Sequence, residues 1–593
     1  MADNDDASSQ NSGPKPDGVQ ILNELRMAAL REVDGAKLMY CARPILRIES
    51  FLIDLYRWFH RKVCLVAGVG FFTDAYDLFA INIASVMLGY VYGHYPDSSC
   101  RPTLNPTQDL GLKIAAPVGT FFGQLLFGWF ADIVGRKRMY GVELILMIVG
   151  TFSQATAAEG QAISVIAMLI FWRFIVSRLI VFVVHCTDIF FGGQMMTSVF
   201  AAQGWGNLAA SIVAIVITVI YKDKISGDFP LDTCTQTCNI HATIVQVCSS
   251  PSTLNHVDYM WRLLLGLGCV PGAIALYFRL TIPETPRFTM DIERNVARAT
   301  ADINGALHPA RGRNRNTVTQ RADAPRATFT DFWDFFSKRD NFLMLCGTAY
   351  SWLAIDVAFY TLSLNSSIIF EAINFGSSAK VYDTLYNICK GNLIISLAGL
   401  IPGYWVCFLF IETMGRKRIQ LMGFAVLTVL FVVMGASYNA LIPDGGTAGD
   451  GNKVPAKTIV FVFLFCLANF FQNFGPNTTT FLIPGEIFPT RYRATAHGIS
   501  AATGKLGAIV AQVIFRRLDP VSSSRRNLAL SFGVLSIFTM SGVFSTLLVP
   551  ETKGVSLEVL SNENQEGFMR APRGEVNVQD GIVIPLERLD DLP

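Results

Sequence analysis

The chain has 593 residues, of which 51% are hydrophobic and only 16% charged, with a formal net charge of +2 and a mean hydropathy of +0.39. Average soluble domains carry about 25% charged residues. The apolar residues also lie in runs of roughly 20, the length that crosses ~30 Å of hydrocarbon. This composition excludes a soluble protein built around one large core and predicts a membrane protein.

About twelve apolar runs of spanning length follow one another along the chain. The first 50 residues are polar and lack the apolar core of a cleaved signal peptide. We therefore expect an all-α membrane protein with twelve spans. They lie near residues 64–91, 111–131, 140–158, 161–184, 198–220, 260–280, 342–363, 390–411, 419–438, 457–484, 496–515 and 528–549.

One short motif occurs twice, as FADIVGRKR at 130–138 and FIETMGRKR at 410–418, each directly after an apolar run. The two copies stand nearly half a chain length apart, which indicates two homologous six-helix halves around a central cavity. The predicted division is an N-terminal tail 1–60, a first half 61–280, a polar linker 281–340, a second half 341–550 and a C-terminal tail 551–593.

Basic residues in the short loops indicate the orientation. If the runs alternate across the membrane, the basic residues of both motif copies, of the segment before the first run and of the ARGRNRN linker fall on one side. The positive-inside rule makes that side, with both termini, cytoplasmic. We expect the linker's charge to control topology rather than to bind nucleic acid. The loops 92–110 and 221–258 are then external, and their cysteines either form disulfides or stay unpaired: Cys100, Cys234, Cys238 and Cys248.

The two motif loops predict a conformational latch as well as a topology signal. An acid at a helix end pairs with Arg or Lys, and Gly permits a tight turn. Such a cluster is made and broken as two halves move. A purely topological role for the basic residues is the simpler alternative. The latch residues are Asp132, Gly135, Arg136, Lys137, Glu412, Gly415, Arg416 and Lys417, with Glu486 and Arg491 from PGEIFPTRYRA at 484–494.

Charged residues interrupt several apolar runs, among them Asp74 and Asp77 in the first, Asp356 in the seventh and Lys505 in the eleventh. A charge at bilayer depth costs about 2.5–3.5 kcal/mol on insertion scales, so such residues face a cavity and serve a pathway by default. A buried structural ion pair, for instance Asp74 with Lys505, is the alternative.

These residues suit an anion that moves with protons. Lys505 supplies a point charge and three donors, while Asp356 accepts a hydrogen bond from a protonated anion or takes up a proton itself. Gly475-Pro476 is expected to break the tenth helix and to free backbone groups beside the cavity. The spacing of four puts Trp352, Asp356 and Tyr360 on one helical face. Neutral donors are available from Gln203, Trp352, Tyr360 and Asn477.

With these motifs, the chain resembles the major facilitator superfamily over most of its length. PETPR at 283–287 and PETKGVSLE at 550–558 follow the sixth and twelfth runs and are similar to the branch of sugar porters and phosphate/proton symporters. Within that branch, four stretches of this chain resemble the fungal high-affinity inorganic phosphate transporters. They are GVGFFTDAYDLF at 68–79, WLAIDVAFYTLSLN at 352–365, FGPNTTTFLIPGEIFP at 474–489 and RATAHGISAATGKLGAI at 493–509.

The resemblance implies proton-coupled symport of inorganic phosphate by alternating access in a lipid bilayer, expected to be the plasma membrane. The sequence shows no nucleophile–base set, metal-ligand cluster, phosphate-cradling Gly loop or nucleotide motif, so we expect no enzymatic activity, cofactor or metal, and no nucleic acid as a partner. The resemblance assigns the proton path to Asp74. Asp77, one turn further along the helix, and Asp356, whose carboxyl can take up a proton, are the other candidates for proton coupling. The resemblance assigns phosphate binding to Gln203, Trp352, Asp356, Tyr360, Asn477 and Lys505.

The fourth run departs from this family. Where phosphate symporters carry a Gly-rich run ending Gly-Gly-Asp-Tyr-Pro-Leu-Ser, this chain reads VSRLIVFVVHCTDIFF at 176–191 and lacks the acid and the Tyr. Neither His185 nor Asp188 falls where that acid belongs. A wrong exon boundary and a genuine divergent variant both explain the segment. A transport-impaired homologue or a phosphate sensor is therefore an alternative function, and a sugar porter a weaker one.

Overall fold

The computed structural model describes residues 50–94, 102–134, 136–180, 193–225, 236–240, 243–247, 251–280, 328–373, 380–442, 456–489, 491–518, 526–555, 560, 576–579 and 582–585. Contact clustering gives two compact units. One comprises residues 57–283 and 327–561, and the other comprises residues 1–56, 284–326 and 562–593. The described helices and strands belong to the first unit, apart from the start of the first helix and a C-terminal hairpin.

The first half contains six spans and a hairpin. Its helices and strands are α1 (Ser50–Tyr92), α2 (Pro106–Val134), α3 (Arg136–Ala155), α4 (Val165–Ile180), α5 (Gly193–Ile220), the short α6 (Lys222–Ile225), β1 (Gln236–Ile240), β2 (Thr243–Val247), α7 (Pro251–Gly266) and α8 (Cys269–Leu280). Strands β1 and β2 pair antiparallel. A two-residue interruption separates α7 from α8 within the sixth span.

The second half repeats the pattern. From residue 329 to the C-terminal hairpin, the elements are α9 (Phe329–Phe336), α10 (Arg339–Leu364), α11 (Ser366–Ala372), α12 (Val381–Ile395), a π-helical turn (Ser396–Leu400), α13 (Ile401–Met414), α14 (Arg416–Leu441), α15 (Ala456–Asn473), α16 (Pro476–Ile487), α17 (Arg493–Leu518), α18 (Arg526–Leu547), β3 (Val576–Gln579) and β4 (Ile582–Pro585). Strands β3 and β4 form a second antiparallel hairpin.

Joined across their short breaks, the described helices give twelve spans at the places predicted from hydropathy. Nine of the helical segments found in the described ranges are long and apolar enough to cross a membrane. The apolar parts of α3 and α4 are shorter, at Ile145–Ala155 and Val165–Ser177. The predicted all-helical membrane architecture is confirmed.

The two halves meet along two seams. In one, α2 of the first half packs against α17 of the second, and α17 in turn packs against α10. In the other, α5 packs against α12 and α13. Glycines permit these close approaches: a Cβ at Gly128 of α2 would lie 2.8 Å from the carbonyl oxygen of Ala494 in α17, and one at Gly204 of α5 would lie 3.0 Å from Tyr404 Cδ2 in α13.

Both Gly-Arg-Lys loops lie at the same end of the helical bundle. Asp132 at the end of α2 contacts the start of α17, and Arg416 at the start of α14 contacts Glu486 near the end of α16. Since α17 follows α16 directly in the chain, the two contacts are neighbours. We call this end the loop end and the opposite end the far end.

Several predicted features fall outside the described residues: Gly135, His185, Asp188 and the loop positions Cys100, Cys234 and Cys248. The structure gives only the backbone of Cys238, Arg136, Lys137 and Arg178. Helix α4 is described as far as Ile180, so it includes only residues 176–180 of the divergent segment 176–191.

Candidate functional site

A cavity of about 100 Å³ lies between the two halves, midway along the bundle. All six residues predicted to bind substrate line it, and so does Asp74. The structure therefore brings seven of the eight predicted site residues together. The full lining is Phe71, Asp74, Ala75, Leu78, Phe79, Pro117, Thr120, Gln124, Ser177, Phe200, Gln203, Trp352, Asp356, Phe359, Tyr360, Asn477, Phe481 and Lys505.

Lys505 is the cation of this cavity, and it is held from one helical face. Its Nζ donates to Asp356 Oδ2 at 2.7 Å and to the Tyr360 hydroxyl at 2.9 Å, and it lies 4.6 Å from the centre of the Tyr360 ring. Asp356 is 2% exposed. The predicted spacing of four on α10 thus places the acid and the phenol around one ammonium group.

Glycine brings the helix of Lys505 close enough for this pairing. A Cβ at Gly504 would overlap Trp352 Cδ1 and lie 3.0 Å from Asp356 Oδ2. The missing side chain therefore lets the indole and the carboxylate of α10 pack directly against α17. Small residues serve helix–helix approach in membranes in this way.

A hydrogen-bonded chain closes the opposite wall across the two halves. The Tyr404 hydroxyl donates to Gln203 Oε1 at 3.3 Å, and Asn477 Nδ2 donates to the same hydroxyl at 3.0 Å and to Asn473 Oδ1 at 2.7 Å. Tyr404 was missed in the sequence because a single Tyr inside an apolar run carries no positional signal. It joins the amide of the first half to that of the second.

The predicted break in the tenth span is present. Helix α15 ends at Asn473 and α16 begins at Pro476, with Gly475 between them. A Cβ at Gly475 would collide with the carbonyl of Phe471, so the turn requires glycine. The freed Asn473 carbonyl accepts the Thr478 hydroxyl at 2.6 Å. The break thereby places Asn477 on the cavity wall.

Aromatic rings from both halves form the loop-end floor of the cavity. Phe200 of α5 stacks on Phe481 of α16, with ring centroids 4.6 Å apart and an interplanar angle of 16°. Phe71 of α1 meets Phe481 edge-on, with ring centroids 5.5 Å apart. Beneath Trp352, the buried His497 ring lies 5.3 Å away and contacts the Phe481 carbonyl through Nε2 at 3.1 Å. These rings therefore separate the cavity from the loop end.

The two acids of the first span lie in different surroundings. Asp74 lines the cavity, whereas Asp77, 5% exposed, is not among the lining residues. The buried Arg173 of α4 donates to the main-chain oxygens of Asp77 at 3.4 Å and Leu112 at 3.2 Å. The structure thus places Asp77 behind the cavity wall, beside a second buried cation that the sequence reasoning did not assign.

The loop end of the second half holds a cluster around Arg416. Its guanidinium donates to both oxygens of Glu412 at 2.9 Å and to Glu486 at 2.8 Å. Gly415 has φ +90°, a conformation suited to glycine. A charge-assisted pair of this kind is among the stronger polar contacts in proteins.

The PETKG segment after the last helix completes this cluster. Glu551 accepts from the main-chain nitrogens of Arg416 at 2.9 Å and Lys417 at 3.2 Å, and the Thr552 hydroxyl donates to Glu486. The sequence marked this motif by resemblance only and gave it no role. Repetition of Pro-Glu-Thr after the sixth and twelfth runs was a sequence signal for this role, although the first copy, at 283–287, lies outside the described residues.

The first-half loop reaches across to the second half. Asp132 Oδ2 accepts from the Thr495 nitrogen at 2.8 Å and hydroxyl at 2.7 Å, at the start of α17. On the other seam, a Cβ at Gly193 of α5 would collide with the Arg416 guanidinium. Arg491, also predicted in the latch, lies 3.8 Å from Asp331 of α9. Both motif acids therefore take part in contacts at the loop end.

Comparisons with known proteins agree with this architecture. The profile of the family described as "Sugar (and other) transporter" matches residues 63–181 and 229–563. The repressible high-affinity phosphate permease of Neurospora crassa is 40% identical over 91% of this chain and 90% of its own length. The inorganic phosphate transporter PHO84 of Saccharomyces cerevisiae is 40% identical over 88% of this chain and 87% of its own length.

Solved structures support the fold. The proton:xylose symporter XylE bound to 6-bromo-6-deoxy-D-glucose has a TM-score of 0.62 and 18% sequence identity, covering 85% of this chain and 98% of that one. At that identity the likeness concerns the fold alone. The relatives and the fold together are those of transporters, not of enzymes. The chain belongs to the major facilitator superfamily and, within it, to the family of the fungal high-affinity phosphate permeases.

Proposed function

We propose that this protein carries inorganic phosphate together with protons across a membrane by alternating access. The observation that supports it most directly is the cavity, in which Lys505 lies between acids and neutral hydrogen-bond donors. The relatives named as phosphate permease and phosphate transporter support the same substrate.

The size of the cavity and the ammonium of Lys505 favour a small anion over a sugar. Pockets for drug-sized ligands measure about 300–1,000 Å³, whereas this cavity measures about 100 Å³. A tetrahedral oxyanion fits the smaller space and is matched by the ammonium of Lys505. A neutral hexose carries no charge with which that ammonium could pair. The sugar-porter alternative therefore has less support.

Charge balance supplies the reason for coupling to protons. The described lining holds two acids, Asp74 and Asp356, and one base, Lys505, so its charge is −1 when all are ionised. An anion entering a negative, enclosed cavity is repelled, because Coulomb interactions strengthen as the dielectric falls. A proton on one carboxyl removes that repulsion. Since Asp356 also binds Lys505, its protonation would release the ammonium for phosphate.

Contacts across the halves at both ends support alternating access. At the loop end Asp132 binds Thr495. At the far end Asn82 Nδ2 donates to the Ser366 hydroxyl at 2.5 Å, and the Ser367 hydroxyl donates to the Asn82 carbonyl at 3.2 Å. The structure is thus tethered on both sides of the cavity, and each opening requires one set of contacts to break.

The membrane arrangement follows from the charge distribution. We place the loop end and both termini in the cytoplasm, because the Gly-Arg-Lys loops and the linker carry the basic residues. The far end is then external. The plasma membrane is the proposed residence, where external phosphate would be taken up.

A transport-impaired homologue or phosphate sensor is the second candidate. Residues 176–191 lack the acid and the Tyr expected in the fourth span, and the family profile match is interrupted after residue 181. Such a protein would keep the cavity and bind phosphate without completing the cycle.

Uptake of labelled phosphate into a phosphate-transport-deficient host tests the proposal. We expect uptake that rises as external pH falls and that collapses when a protonophore removes the proton gradient. Calorimetric phosphate binding by the purified protein without any such uptake would instead establish the second candidate. Absence of both binding and uptake would refute both.

A further inference from the structure

A buried cation at the far end joins the two halves. Lys113 of α2 is 3% exposed, and its Nζ donates to Asp109 Oδ2 at 2.7 Å and to Asn365 Oδ1 at 3.2 Å. Asp109 belongs to the same helix, whereas Asn365 caps α10 in the other half. An ammonium held between an intrahelical acid and an amide of the opposite half can tether them only while the far end is closed.

The contact continues inward without interruption. Asn365 Nδ2 donates to Gln512 Oε1 of α17 at 3.1 Å, and Gln512 Nε2 donates to the Tyr360 carbonyl at 3.0 Å. Asn365 and Gln512 are 1% and 2% exposed. Both amides therefore make these hydrogen bonds in a place where water does not compete for them. Breaking the bonds would leave buried polar groups without partners, at a cost of about 1–3 kcal/mol each.

This series of hydrogen bonds ends at Tyr360, a residue of the proposed substrate site. The Tyr360 hydroxyl accepts from Lys505 Nζ at 2.9 Å, so one residue faces Lys505 with its side chain and Gln512 with its backbone. Its neighbour Phe359 meets Phe79 of the first half edge-on at 5.8 Å. If Lys505 exchanges Tyr360 for another partner, this turn of α10 loses one of its hydrogen bonds and can shift. Gln512, which is bonded to the Tyr360 carbonyl and to Asn365, would transmit that shift to Asn365.

We propose that Lys113, Asn365 and Gln512 form a far-end latch that closes the two halves over the cavity and links the occupancy of the Lys505 site, through Tyr360, to opening of the far end. Lys113 and Asn365 are the tether. Gln512 is a positioning residue that acts through Tyr360. The link to occupancy rests on the proposed phosphate binding, whereas the tether does not.

Hydrogen–deuterium exchange of the purified full-length protein tests the tether without any ligand. Lys113→Met should raise exchange at the far-end part of α2, residues 106–117, by roughly fivefold or more, the scale of an ordinary conformational coupling. It should leave exchange at the loop-end start of α17 no higher than in the parent protein, because the Asp132–Thr495 contact still holds that end when the far end opens. Lys113→Arg, which keeps the charge and the donors, should behave like the parent protein.

Either of two results would overturn the tether. Unchanged far-end exchange in Lys113→Met would show that the contact holds nothing. A rise at both ends would show general loosening of the fold rather than opening of a latch.

The link to the site is tested with inorganic phosphate as the probe. We expect phosphate to change far-end exchange in the parent protein and to leave it unchanged in Gln512→Met, although calorimetry still shows binding. The matched control is Gln420→Met. Gln420 is 1% exposed and donates to the Thr546 hydroxyl at 2.9 Å in α18, away from the cavity, so its variant should keep the phosphate response.

A normal phosphate response in Gln512→Met would remove Gln512 from the link. If the parent protein binds no phosphate, the link falls together with the proposed function. The ligand-free comparison of Lys113→Met with Lys113→Arg then still decides the tether alone.

Discussion

Asp132, at the end of α2 in the first half, accepts both the main-chain N–H and the hydroxyl of Thr495, in the first turn of α17 in the second half. A carboxylate there serves as an N-cap and faces the positive end of the helix dipole. Helix α17 also carries Lys505. This contact at the loop end therefore involves the same helix whose Lys505 lines the cavity.

Removing this cap should loosen the loop end. Asp132→Ala should destabilise the first turn of α17 by about 0.5–2 kcal/mol, the usual cost of a lost N-cap, and raise hydrogen exchange over residues 493–500. Thr495→Val keeps the main-chain bond and should show a smaller rise. Equal exchange in Asp132→Ala and the parent protein would contradict the assignment.

Asp356→Asn tests the proton step. The amide keeps the shape of the carboxyl but cannot take up a proton, so we expect phosphate binding to survive while uptake loses most of its rate and its dependence on external pH. Initial uptake rates over a pH series measure this, with surface labelling to confirm equal insertion. Unchanged rate and pH profile would remove Asp356 from the coupling.

Lys505→Ala should weaken phosphate binding by tenfold or more, equivalent to about 1.4 kcal/mol, because the described cavity lining then retains acids and no fixed cation. Calorimetry on the purified protein gives the affinity. Lys390→Ala, at an exposed lysine of α12, is the control for loss of one positive charge. Equal affinity in the two variants would exclude Lys505 as the anion ligand.

Gly504→Ala should impair binding through crowding alone. The added methyl would overlap Trp352 and press on Asp356, and overpacking of this kind costs about 1–3 kcal/mol. Gly533→Ala is the matched control, since a Cβ at that helical position meets nothing within 4 Å. We expect lower thermal stability and weaker phosphate binding in the first variant only. Identical melting temperatures would argue against tight packing of α10 on α17.

The fourth span offers a test by replacement. Exchanging residues 176–191 for the Gly-Gly-Asp-Tyr-containing run of phosphate symporters should raise proton-driven uptake several-fold, because it restores an acid and a Tyr that the resemblance assigns to the cycle. Uptake is compared at equal surface expression. Equally strong transport by the chain as it stands would show that this acid is dispensable here. Sequencing the transcript across the segment separates a wrong exon boundary from a true variant.

The charged residues inside the spans show how much of the site can be predicted from the sequence. A carboxylate or ammonium inside a spanning run is costly unless it faces a cavity, so the amino-acid sequence alone assigns Asp74, Asp356 and Lys505 to a site. The same rule named Asp77, yet that residue lies behind the wall beside Arg173. Positions three apart on a helix share a face only approximately, and neighbouring helices decide which one reaches the cavity.

Hydrophobic periodicity and the repeated Gly-Arg-Lys motif determined the twelve spans, the two halves and the common end of the two loops, because bilayer thickness and charge sidedness act on sequence directly. Only the tertiary structure decided the partners: Lys505 with Asp356, Asp132 with Thr495, and Lys113 with Asn365. Each pair joins residues far apart in the chain. Their meeting depends on glycine-permitted helix approach and on the register between helices, which no local pattern encodes.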